Sequence, residues 1–147
     1  MIKSFSFYLV IALVIKCGSH FLKSSFLSTF LDSNVITILV ALLAINTTTM
    51  SVLLTKLKEI YDKTGKSFTN TIPSLKNSRY EQIGLIILSL IFLILKKSDV
   101  VISSVSHSSE IWDVILTTAF IGGIYNLYDT GKSIFMIMEY DNSELKQ

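Results

Sequence analysis

Ile83-Gly84-Leu85-Ile86-Ile87-Leu88-Ser89-Leu90-Ile91-Phe92-Leu93-Ile94-Leu95 is a run of thirteen uncharged residues, closed by Lys96 and Lys97. Begun at Tyr80, it gives a helix that crosses most of a hydrocarbon core about 30 Å thick. The run sets the expected solvent, which is lipid. Working outward, three further stretches read alike, so the candidate spans are Ile2–Phe21, Asn34–Leu57, Tyr80–Leu95 and Ile111–Tyr128.

Composition agrees. Half of the 147 residues are hydrophobic and 16% are charged, and the mean hydropathy is +0.58, more apolar than one small water-soluble core requires. The length suits a single domain. A net charge of +2 is too small to recruit nucleic acid, and no basic face with interleaved aromatics is present. The single cysteine, Cys17, leaves no intrachain disulfide and reads as a packed free thiol or a bridge between two copies. Lys3 before the apolar run Phe5 to Ile15 has the look of a signal peptide. No A-x-A-like site follows, however, and Lys16 precedes Cys17, so the segment reads as a first transmembrane helix. Lys16 itself must snorkel or lie at an interface.

Serine-rich linkers separate the spans at 24–33 and 98–109. Asp32, Ser33 and Asn34 form a plausible cap for the second span. Pro73 falls in the loop 58–79 as a helix breaker. Orientation follows from basic residues. With the N-terminus inside, that side holds Lys3, Lys56, Lys58, Lys63, Lys66, Lys76, Arg79, Lys132 and Lys146, against Lys16, Lys23, Lys96 and Lys97 outside. Both termini are therefore expected in the cytoplasm. Trp112 at the outer end of the last span, with Tyr125 and Tyr128 near its inner end, fits aromatic belts.

Two helices are expected to overshoot the bilayer. The second runs without a breaker from Asn34 to about Thr64, before Gly65, and its surplus is amphipathic. The fourth continues past Asp129 and Lys132 through Ile134, Phe135, Ile137 and Met138 into a C-terminal extension, 129–147. An echo accompanies these ends: YDKTGKSF at 61–68 and YDTGKSIF at 128–135, which suits either two related helical hairpins or chance. Both contain Gly-Lys-Ser, the close of a phosphate-binding loop. That loop requires a glycine five positions earlier, where Ile60 and Asn126 stand, so nucleotide hydrolysis is rejected.

Polar residues inside the spans are the candidate site. Asn46, Thr48, Ser51 and Thr55 in the second span, with Thr118, Gly122 and Asn126 in the fourth, either knit helices together or line a water-filled path. Spans two and four are thus expected to form the seam, with spans one and three facing lipid. Asp113 is placed at the mouth of the fourth span, as a vestibule group or an ordinary interface residue. His20 and His107 have no companions at ligand spacing, so no metal is expected, and neither are catalytic residues or a cofactor. Lys56, Lys58, Lys63, Lys66 and Lys132 are the candidate docking residues for a cytosolic protein.

The plan is an all-α integral membrane protein, a four-transmembrane-helix bundle with cytosolic extensions of helices 2 and 4. It resembles the small four-helix membrane proteins of bacterial phage-defence and phage-exclusion systems, of the Kiwa membrane subunit or lambda Rex membrane protein type. Ile124-Tyr125-Asn126-Leu127-Tyr128 is similar to the end of the Rex membrane protein. The resemblance implies a homo-oligomer in the bacterial inner membrane, working with a soluble effector or depolarising the infected cell. The expected function is accordingly an antiviral defence subunit that senses membrane disturbance or anchors a cytosolic effector. The alternative is a depolarising ion pore formed by several copies.

Overall fold

A computed structural model describes the backbone of residues 2–65, 71–98 and 108–144, and the side chains of 5–65, 71–98 and 110–137. Among them there are four helices and no strand: α1 (Ile2–Phe21), α2 (Phe26–Thr64), α3 (Thr71–Lys96) and α4 (Ser108–Glu144). Three are long and apolar enough to cross a membrane, and α1 carries a shorter apolar stretch, Phe5–Phe21. Phe7, Val14, Ile45, Ile87 and Ile94 are all exposed on the surface of this bundle, as befits a membrane protein.

The boundaries differ from expectation at two helix starts. α2 begins at Phe26, eight residues before Asn34, directly after a turn in which Lys23 takes a left-handed conformation (φ 50°). Asp32, Ser33 and Asn34 therefore lie inside the helix and cap nothing. Their polarity is accommodated without a break, because Asn34 Nδ2 donates back to the Phe30 carbonyl at 2.9 Å and Asp32 is held by Lys96. α3 begins at Thr71, so Pro73 lies in its first turn and not in a loop. Proline costs nothing there, since first-turn N–H groups have no acceptor within the helix. The end of α2 is as the sequence implies. Gly65 adopts a left-handed conformation (φ 67°), and its N–H bonds the Tyr61 carbonyl at 2.8 Å. Gly131, the counterpart in the echoed segment, lies within α4. One glycine ends a helix and the other does not, so the two echoed segments differ at this position.

α4 is the centre of the bundle and packs against each of the other three helices. Its broadest contact is with α2, the seam expected of the second and fourth spans. α2 and α3 also pack together, whereas α1 leans chiefly on α4. Two adjacent glycines allow α4 this position. A Cβ at Gly123 would stand 2.5 Å from Leu39 Cδ2, and one at Gly122 would stand 3.1 Å from Leu85 Cδ1 and 3.3 Å from Tyr8 Cδ2. One glycine thus admits α2, while the other admits α1 and α3.

Apolar packing is divided into two cores. The first joins Leu31, Val35, Leu39 and Leu116 with Ile86, Phe92 and Phe120. The second joins Met50, Leu53 and Leu75 with Ile134 and Ile137.

Candidate functional site: a polar seam ending in a charged cluster

The seam is built on one face of α3. Ser78, Gln82, Leu85, Ser89, Phe92 and Lys96 follow alternating steps of four and three residues, which keeps them on one side of a helix. The eighteen residue steps from Ser78 to Lys96 rise about 27 Å. Ser78 Oγ donates to Asn126 Oδ1, and Asn126 Nδ2 donates to the Ser78 carbonyl at 2.9 Å, tying α3 to α4. One turn further, Gln82 Oε1 accepts from Asn46 Nδ2 at 2.8 Å, tying α3 to α2. Gln82 and Ser89 are completely buried, and Asn46 is 1% exposed. The seam is only partly satisfied, because Asn46 Oδ1, Gln82 Nε2 and Ser89 Oγ have no hydrogen-bond partner. Each such atom costs about 1–3 kcal/mol when withdrawn from solvent.

At the Lys96 end the seam becomes ionic. Lys96 Nζ lies 2.6 Å from both oxygens of Asp32 and 2.6 Å from Asp113 Oδ1. Asp113 Oδ2 accepts from Lys16 Nζ and from Ser28 Oγ, each at 2.7 Å. Two lysines and two aspartates therefore balance, drawing one charge from each of the four helices. The side chains are 11–28% exposed, so screening is weaker than at an open surface. Asp113 is the hub of this network, and neither the vestibule nor the ordinary-interface reading anticipates that. Lys16 and Lys96 are not free positive charges either. The signal was present, since Lys16, Asp32 and Asp113 each interrupt an apolar stretch near the same end of the bundle.

The sequence-predicted residues divide between inside and outside. Asn46, Thr118, Gly122 and Asn126 are buried. The Thr118 hydroxyl donates to the Val114 carbonyl at 2.7 Å. Thr48, Ser51 and Thr55 are exposed on the outer side of α2 and take no part in the seam. Their hydroxyls donate to the carbonyls of Ala44, Thr47 and Ser51 at 3.0, 3.0 and 3.1 Å. Asn46 stands on the opposite face, so the four cannot line one path through a single chain. The lipid-facing expectation also fails for α3, which contributes Gln82 and Ser89 to the interior. Both were overlooked because a lone polar residue in an apolar run reads as neutral. Their seven-residue spacing, continued by Leu75 and Lys96 on the same face, was the available signal.

Among the docking candidates, Lys56 pairs with Glu59 of its own helix at 2.5 Å. That bond holds the Glu59 carboxyl below the usual carboxylate range. Lys58, Lys63 and Lys132 are exposed. Lys66 lies outside the described residues, as do His107 and most of the linker 98–109. Cavities open on the surface between described residues. One of about 460 Å³ adjoins the charged cluster, between Lys16, His20, Lys23, Ser28 and Glu110. Another, about 530 Å³, runs between α1 and α3. Comparison of the chain with protein-family models, curated proteins and solved structures finds no match in any of the three.

Proposed function

We propose that this chain is a multipass protein of the bacterial inner membrane with both termini cytoplasmic, acting as a homo-oligomeric antiviral defence subunit that anchors a cytosolic effector. One observation carries the anchoring. α2 and α4 have 39 and 37 residues, about 58 and 55 Å of helix, against a hydrocarbon core of about 30 Å. Their surplus lies at the same end of the bundle, and there it is packed. The second core begins in the last turns of the α2 span, where Met50 and Leu53 meet Leu75, Ile134 and Ile137, and Leu57 and Ile60 are buried further along α2. A shared core makes these ends a stiff platform, and exposed Lys58, Lys63 and Lys132 decorate it. The antiviral assignment rests on the likeness of this plan to phage-defence and phage-exclusion membrane proteins.

The test is co-purification from phage-challenged cells. Lys58→Glu, Lys63→Glu and Lys66→Glu together are expected to release a cytosolic protein that the unaltered chain retains, with the helical circular dichroism unchanged. Full retention would refute the platform.

A second reading, the depolarising pore, is favoured by a different observation. Ser33, Thr37, Ala41, Ala44, Thr48, Ser51 and Thr55 are all exposed, at steps of four, four, three, four, three and four residues. They form a continuous outer stripe of small and polar residues, which several copies could turn toward a common axis.

A further inference from the structure

α1 packs on α4 and leaves a groove of about 530 Å³ against α3. Phe5 and Tyr80 flank it, Glu81 stands in its wall, and Gly84, Leu85 and Leu88 form its apolar length. The seven residue steps from Glu81 to Leu88 span about 10 Å, and the volume is that of a small-molecule site.

Glu81 sets the chemistry. Among the described residues three carboxylates are half-buried: Asp32, Asp113 and Glu81. The first two are paired with lysines, whereas no described cation pairs with Glu81. Lys76 and Arg79 are near in sequence, but neither lines the groove. A carboxylate drawn half out of water favours a counter-charge. Aromatic rings beside it favour a cation over a neutral group, and an apolar wall rejects a strongly hydrated ion. A phosphate headgroup would meet repulsion.

We propose that this groove binds a compact organic cation with an apolar body, a quaternary ammonium or phosphonium compound, with its charge against Glu81 and its body along Gly84, Leu85 and Leu88. The inference stands apart from the defence reading, and binding is measurable in micelles whatever the topology. Gly84 provides a clean plug, since nothing lies within 4 Å of where its Cβ would be. A leucine there fills the groove and leaves the packing intact.

The experiment is equilibrium dialysis of radiolabelled tetraphenylphosphonium against the full chain in a non-ionic detergent. Saturable binding is expected, weakened at least tenfold by Glu81→Gln and by Gly84→Leu. Glu81→Asp should hold it within a few fold, and Asp62→Asn should leave it unchanged. Absence of saturable binding, full binding by Glu81→Gln or Gly84→Leu, or loss in Glu81→Asp would overturn the proposal. So would equal displacement by neutral triphenylphosphine oxide.

Discussion

Asn46 and Gln82 share one hydrogen bond, while Asn46 Oδ1 and Gln82 Nε2 remain unpaired in the bundle. Such a pair contributes less to stability than to register. In lipid-embedded bundles an interhelical side-chain hydrogen bond averages about 0.6 kcal/mol, less than the cost of one stranded polar atom. Breaking it from one side is worse than removing it. Asn46→Leu leaves both polar atoms of Gln82 without a partner and is expected to cost about 1–3 kcal/mol. Asn46→Leu combined with Gln82→Leu should recover most of that loss, giving a coupling that non-interacting sites do not show. Denaturant titration of the four proteins in detergent, followed by circular dichroism, measures the cycle. Simple addition of the two single losses would show that the bond does not organise the seam.

At the scale of the helix, the glycines of α4 make opposite contributions. Gly123 lies where a Cβ would meet Leu39 at 2.5 Å, whereas nothing lies within 4 Å at Gly131. Gly123→Leu is therefore expected to force α2 and α4 apart at about 1–3 kcal/mol, and Gly131→Ala to stabilise α4 by roughly 0.8–1.0 kcal/mol. Melting temperatures in detergent should move in opposite directions, and a common direction would contradict the packing described. Among the described residues, the four helices, the end of α2 before Gly65 and the unusual length of α2 and α4 were all legible in the sequence, because hydropathy and breakers act locally. The start of α2 was not. Asp32, Ser33 and Asn34 look like a cap until Lys96, sixty-four residues away, is seen to hold Asp32 and the Phe30 carbonyl to accept from Asn34. Gln82 was hidden for the same reason, since its partner Asn46 lies on another helix.

For the whole molecule, the division of polar residues between inside and outside bears on how copies assemble. Of the inner set, Asn46, Gln82 and Asn126 are bonded across helices. The outer stripe from Ser33 to Thr55 covers twenty-two residue steps, about 33 Å, close to the thickness of a hydrocarbon core. Thr48, Ser51 and Thr55 direct their hydroxyls to carbonyls of their own helix, so these three tolerate lipid in a monomer and need no partner for satisfaction. Its value in an oligomer is steric, because small side chains bring helix backbones close. Ala44→Leu with Thr48→Leu should therefore dissociate the proposed homo-oligomer, read as a fall in mass by light scattering of the detergent-solubilised protein. The same pair separates the two functions. In cells carrying a voltage-sensitive dye, a pore loses phage-triggered depolarisation when its axis is blocked. An anchor shows no depolarisation with or without the substitutions, and protection from phage then follows Lys58 and Lys63. Depolarisation that survives dissociation of the oligomer would exclude a path along α2, since the interior of a single chain is closed there by Leu39, Asn46 and Leu53, each buried to 1% exposure or less.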